Sequence, residues 1–270
     1  MRPLRPPLRW AGSKRGLLPK LATLIPSDFG RYFEPFSGSA CLFFAIRPRV
    51  SVLGDVNADL IDFYRTLRRH PNLLHQSLSR QRKSSSNYYR WRALQPGKLD
   101  ALKRATRFLF LNRLCFNGVY RTNRKGEFNV PLGENVGSFP DASDLRRCAI
   151  ALRSASLVRG DFQATLSKMG RGDFAYLDPP FWRRNLEEPG QFGYGGFAIE
   201  KDQERLVKCL RDIHRSGGYF MLSFSRSPLT DALGSIYHTR RFVVTRNVAG
   251  YRSLRRRDAE IVITNYASTL

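Results

Sequence analysis

Cysteine is scarce in this chain of 270 residues. Cys41, Cys115, Cys148 and Cys209 are scattered, with no Cys-x-x-Cys pair and no histidine ladder nearby. That spacing excludes a disulfide framework and a structural zinc, and predicts free thiols in a reducing cytoplasm. With only 4 histidines and no metal-ligand spacing, no metal is expected. Long apolar runs are missing as well. No window approaches ~18 consecutive apolar residues, so no transmembrane helix is expected. The start, "MRPLRPPLRW", is basic but leads into no apolar stretch, which argues against a secretory signal. Acidic residues are the last shortage: 22 against 46 Lys plus Arg, a net charge of +24. Such an excess does not specify a fold, but it favours a polyanionic partner. Arginine dominates over lysine, which suits bidentate contacts to phosphate and guanine.

What is present reads as globular α/β text, enough for one large domain or two modest ones. "EPFSGSACLFFAI" reads as a strand end, a tight small-residue turn and a helix start. "SVLGDVNADLIDFYRTLRR" reads as a strand ending near Asp55, then a helix. From about Phe63 to Cys148 the text turns basic, aromatic and mostly helical or irregular. "ALKRATRFLFLNRL" is a helix, and "NGVYRTNRKGEFNVPLG" a hairpin with Lys125-Gly126 at or near its turn. Alternating text then returns in "SLVRGDF", "GDFAYLDPPF" and "GYFMLSFS". "EKDQERLVKCLRDIHRSG" is a helix with Leu206, Val207, Leu210 and Ile213 on one face and Gly217 as its C-cap. "RFVVTRNV" and "AEIVITNY" close the chain as edge strands. The expected architecture is one α/β domain carrying a basic insertion.

"YLDPPF" (176–181) places Asp178 at the carboxyl end of a buried strand, the edge where open α/β sheets bind ligands. Pro179 and Pro180 fix φ and lack an N–H, so they make a stiff corner that keeps its carbonyls. Phe181 adds an aromatic face. Three other strand ends would face the same crevice. The turn at Gly38, Ser39 and Ala40 lets a ligand approach the backbone, but it is not Gly-x-Gly-x-x-Gly and so argues against a dinucleotide. Asp55 lies ~20 residues on, where an acid reaches ribose hydroxyls. Asp161-Phe162 ends a third strand and could grip a purine; an Asp there also suits a helix N-cap.

Eight stretches in order resemble the Dam-type, D12 class of DNA adenine-N6 methyltransferases: "LRWAGSK", "FEPFSGSA", "LGDVNADLIDFY", "NRLCFNGVYRTNRKGEFNVPLG", "GDF", "LDPPF", "YGGFAIEKDQERL" and "EIVITNY". The resemblance covers nearly the whole chain, and "WAGSK" and "GEFNVP" are its specific parts. It implies a Rossmann-like class I methyltransferase sheet, mostly parallel with an antiparallel edge, and an inserted helical and hairpin target-recognition domain. Residues 1–62 and 149–270 would form the catalytic domain, and 63–148 the insertion. S-adenosyl-L-methionine is the implied methyl donor. Trp10 and Lys14 would line its pocket together with Glu34 and Phe36. Gly38 would form the floor, Asp55 would hold the ribose, and Asp161 and Phe162 would flank the adenine. Asp178 with Pro179, Pro180 and Phe181 would form the catalytic corner that receives a flipped-out adenine.

Arg121, Asn123, Arg124 and Lys125 would read double-stranded DNA in the major groove, where the family's hairpin helps read GATC. The implied protein is a cytoplasmic, nucleoid-associated monomer with no membrane contact, and a partner restriction endonuclease is left open. Four departures stand out: Phe181 where the family usually has tyrosine, Ala40 where it usually has glycine, "SFSRSP" where its strand end usually shows "SN", and Lys125 where arginine is common. An RNA adenine methyltransferase and a catalytically inactive DNA binder are the alternatives. A cytosine-N4 enzyme usually carries Ser before Pro-Pro, which Asp178 disfavours.

Overall fold

The computed structural model describes residues 4–123, 125–134, 136–180, 199–247 and 255–267. Among these residues, seven strands form one sheet in the order β3-β2-β1-β4-β5-β7-β6. They are β1 (Tyr32–Glu34), β2 (Ser51–Asp55), β3 (Ala155–Arg159), β4 (Phe174–Leu177), β5 (Tyr219–Ser225), β6 (His238–Asn247) and β7 (Arg255–Thr264). The first five in space are parallel, and β7 and β6 run antiparallel at one edge. The strand order reverses between β1 and β4, which opens a crevice at their carboxyl ends. This is the class I methyltransferase α/β fold that the resemblance implied.

Side chains alternate strictly between two cores, as the period of a strand requires. Tyr32, Leu53, Phe174, Tyr176, Met221 and Val262 join the core on one face. Phe33, Val52, Ala175, Leu177, Phe220, Leu222, Ile261 and Ile263 join the core on the other. The second face is covered by α8 (Phe162–Leu166), α9 (Ile199–Arg215) and α10 (Pro228–Gly234). On α9, Leu206, Leu210 and Ile213 are buried and Val207 is half-buried, as its apolar spacing predicts. Gly217 ends this helix at φ +76°, a conformation that favours glycine.

The first face carries α1 (Leu18–Ala22), α2 (Cys41–Ile46) and the long excursion between β2 and β3. That excursion holds α3 (Ala58–Arg69), α4 (Pro71–Ser79), α5 (Ser85–Ala93), α6 (Ala101–Leu114), a hairpin and α7 (Ala142–Ala151). Residues 63 and 148 fall inside α3 and α7, so both helices run through the positions where the sequence changes character. Helix α6 is buried along most of its length because it is the axis of this excursion. Its Arg107 guanidinium is buried and donates to the carbonyls of Trp91 and Arg92, bracing α5. Its Asn112 exchanges two hydrogen bonds with the Arg9 backbone, at 2.9 and 2.6 Å. That clamp fixes the N-terminal segment and delivers Trp10 to the head of the crevice. Among the described residues, no helix is long and apolar enough to cross a membrane.

Candidate active site at the carboxyl edge of the sheet

The chain leaves β1 at Glu34 and turns through residues 35–40 into α2. This turn is held from below and from the side. Ser37 donates its backbone N–H to the Gly54 carbonyl at 2.9 Å. Gly38 donates its N–H to Asp55 Oδ2 at 3.0 Å, while Tyr64 donates its hydroxyl to the Gly38 carbonyl at 2.7 Å. The Gly38 φ is +45°, and a Cβ there would sit 2.7 Å from both Cδ1 and Nε1 of Trp10. Only glycine fits between the indole and the turn. Trp10 stacks on Tyr120 with ring centroids 6.2 Å apart, and Tyr120 donates its hydroxyl to Asp59 at 2.7 Å. Ala40 has φ 50° and ψ 41°, so the residue that departs from the family's usual glycine lies in the left-handed region.

Asp55 is buried at the end of β2 and accepts from two backbone amides, Gly38 at Oδ2 and Asn57 at Oδ1 (2.9 Å). Helix α3 is capped by Asn57, not by Asp55. Burial opposes the charged form more than the two amides favour it, and the Asp55 carboxyl is raised to about 6. Each Asp55 oxygen still has a second lone pair with which to accept a hydroxyl.

Beyond β4, Asp178 meets the buried ammonium of Lys14, with Nζ 2.5 Å from Oδ1. Lys14 also lies 3.4 Å from Glu260 Oε1, and the Ser223 hydroxyl donates to that same oxygen at 2.6 Å. Glu34 lies in the same field, buried, and accepts from the Tyr32 hydroxyl at 2.8 Å. Burial is the main reason its carboxyl is raised to about 8. The Tyr32 hydrogen bond lowers it, and the Asp178 charge raises it further. Burial thus favours the neutral form of Glu34. Burial pushes the nearby Cys41 thiol up to about 12, so it is no thiolate nucleophile. The buried Tyr176 hydroxyl finds no hydrogen-bond partner among the described residues. Among those residues no group of three metal-ligating side chains occurs.

Phe162 is buried and stacks on Phe36, with centroids 5.3 Å apart and planes at 30°. Asp161 caps α8 through the Gln163 N–H and pairs with Arg205 at 2.6 Å. The Arg205 guanidinium also lies 4.9 Å above the Phe162 ring. In the hairpin, the Asn123 side chain closes the turn. It accepts from the N–H groups of Lys125 and Glu127 and donates to Glu127 Oε2. Arg121 donates to Asn129 Oδ1 at 2.9 Å, and Lys125 is exposed at the tip. Phe181 and Arg124 lie outside the described residues.

The structure thus brings Trp10, Gly38 and Asp55 together, and separately Lys14, Glu34 and Asp178. Tyr64, Tyr120 and Glu260 join them without having been singled out in the sequence. Glu260 did carry a signal: a carboxylate directly before the apolar run "IVI" of a closing strand.

A model of the D12 class N6 adenine-specific DNA methyltransferases matches residues 10–247. A Lactococcus lactis subsp. cremoris protein, Type II methyltransferase M1.LlaDCHI, is 35% identical over 98% of this chain and 96% of its own length. Type II methyltransferase M.MjaIII of Methanocaldococcus jannaschii is 30% identical over 97% of this chain and 99% of its own. The DNA N-6-adenine-methyltransferase of Escherichia phage P1 is 34% identical over 87% of this chain, which spans 31% of that longer protein. The match along residues 10–247 and the order of the strands agree: the chain belongs to the D12 class N6 adenine-specific DNA methyltransferase family.

Proposed function

We propose that the protein is an S-adenosyl-L-methionine-dependent enzyme that methylates N6 of adenine at a short site in double-stranded DNA. The observation that carries this reading is the pairing of two half-sites on one sheet edge. The Gly38 turn with Asp55 fits an adenosyl group: a buried carboxylate with unused lone pairs suits a diol, and a glycine without room for a side chain suits close backbone approach. Trp10, Lys14, Glu34, Phe36, Gly38, Asp55, Asp161, Phe162 and Asp178 are the residues that would hold the cofactor. When bound, it supplies an electrophilic methyl group on a sulfonium.

The amino nitrogen of adenine is a poor nucleophile because its lone pair is delocalised into the ring. Acceptors that bind its two hydrogens draw electron density onto the nitrogen and favour a tetrahedral geometry. Asp178 and the Pro179 carbonyl supply such acceptors, and Pro179 and Pro180 keep them in place. Most of the acceleration then comes from positioning. The base has to leave the duplex stack to arrive there. Phe181 is assigned the stacking face that holds it, a contact worth ~1–3 kcal/mol. The excursion between β2 and β3 is assigned target recognition. Lys125 at the hairpin tip is the base-reading cation, and Arg121, Asn123 and Arg124 are assigned to the same DNA contact. GATC is the first sequence to test.

The decisive experiment expresses the chain in a bacterial host lacking adenine methylation and maps modified bases by long-read sequencing, with Asp178→Ala as control. Methyladenine at one short motif, absent in the control, is the expected result. Soluble protein that binds DNA yet leaves no modified base would overturn the reading in favour of an RNA enzyme or an inactive binder.

A further inference from the structure

Strand β7 alternates between the two cores, and Glu260 falls on the face shared by Val262, where an apolar side chain is the norm. A carboxylate is instead buried there to 1% exposure. Burying a charge is costly unless it is paired and hydrogen-bonded, so its partners say what it is for. Ser223, a diagonal neighbour on β5, fixes Oε1 by a 2.6 Å hydrogen bond. That oxygen lies 3.4 Å from Lys14 Nζ, which lies 2.5 Å from Asp178 Oδ1 and also donates to the Gly12 carbonyl. The lysine is therefore shared between two carboxylates, one at the reaction corner and one on the edge hairpin.

We propose that Glu260 is a positioning residue for methyl transfer, holding Lys14 so that the Asp178 carboxylate is fixed in place and remains a strong hydrogen-bond acceptor. This rests on the function proposed above. An ammonium paired with Asp178 alone would draw the acceptor's electron density to itself. Sharing it with Glu260 moderates that pull while keeping the carboxylate anchored. Among the described residues, the groups around Asp178 include Lys14 from the N-terminal turn, Glu34 from β1, Cys41 from α2 and Tyr176 from β4, with Glu260 from β7 behind the lysine. Lys14 is the cation in this described set, so how it is shared bears on the balance at Asp178.

The test compares Glu260→Gln, which keeps the shape and the Ser223 contact, with Glu260→Asp, which keeps the charge. Glu260→Gln should lower kcat by ~10–100-fold, the scale seen when outer partners of functional groups are removed. KM for duplex DNA and cofactor affinity by calorimetry should not change. The acid limb of the kcat profile should move to lower pH, since a negative neighbour has been removed. Carbon-13 NMR of Asp178 in cofactor-free protein should show its titration midpoint falling in Glu260→Gln and returning in Glu260→Asp. Ser223→Ala leaves the Glu260 charge in place but removes the donor that competes with Lys14 for it, so it should raise the midpoint slightly. An unmoved Asp178 titration in Glu260→Gln and Ser223→Ala, with kcat at the wild-type value, would overturn the inference. Failure of the wild-type protein to methylate DNA would overturn the function instead, and the NMR titration would still decide whether Glu260 acts on Asp178.

Discussion

Lys14 Nζ lies 2.5 Å from Asp178 Oδ1, although 164 residues separate them in the chain. The ammonium is 6% exposed, so it has exchanged water for carboxylates. Lys14→Met leaves those carboxylates without their shared cation. Breaking a buried pair by removing one partner costs ~3–5 kcal/mol. Urea denaturation at pH 7 should show a loss of that order. A loss no larger than that of a surface lysine variant would mean that solvent already screens the pair.

The crevice turn makes a paired prediction of opposite sign. Gly38→Ala would force a Cβ to within 2.7 Å of the Trp10 ring at φ +45°, so the indole or the turn has to move. The expected cost is ~1–3 kcal/mol, with weaker cofactor binding. Ala40→Gly should instead stabilise the fold by ~0.5–1 kcal/mol, because Ala40 already occupies the left-handed region. Thermal melts of the two variants check both signs. Stabilisation by Gly38→Ala would refute the close approach of Trp10.

Glu34 should give stability a pH dependence of its own. Its folded carboxyl titrates at about 8, above its ordinary value of 4.5, so the folded state binds the proton more tightly than the unfolded chain. Its contribution is complete below about 4.5 and is lost as pH rises through about 8. Glu34→Gln keeps an acceptor for the Tyr32 hydroxyl and cannot ionise. Relative to the wild type it should gain stability across this window, on the order of a few kcal/mol by pH 9. Denaturant melts from pH 4 to 9 read this directly. Parallel curves for the two proteins would show that Glu34 does not titrate in the folded state as its burial requires.

With a net charge of +24, the protein should bind duplex DNA with an affinity that falls steeply with salt. Lys125 is assigned a base contact in the proposed function. Lys125→Ala should therefore reduce discrimination between target and scrambled duplexes by ~1–3 kcal/mol while barely changing the salt slope. Filter-binding titrations at several salt concentrations separate the cases. Equal weakening on all duplexes, with a slope shallower by ~0.9, would make Lys125 a phosphate contact instead.

The residue pattern alone determined the strands, their order along the chain and the corner at Asp178. Each is a local matter. Apolar alternation marks a strand, two prolines stiffen a turn, and the 3.6-residue spacing of Leu206, Leu210 and Ile213 marks a helix. Residue type also pointed to Gly38 and Asp55, because a tight turn and a strand-end acid are read from neighbours. Tertiary structure decided who meets whom. From the sequence Lys14 is only a pocket cation; the approach of β7 to β4 across β5 puts Glu260 behind it and Asp178 before it. Asp161 reads in the sequence as a strand-end acid; that Arg205 arrives from α9 to pair with it while it caps α8 is visible only in the fold. Trp10 acquires its place from Asn112, a hundred residues away on a buried helix. Such long-range encounters depend on the closure of the whole sheet, and no short window of sequence encodes them.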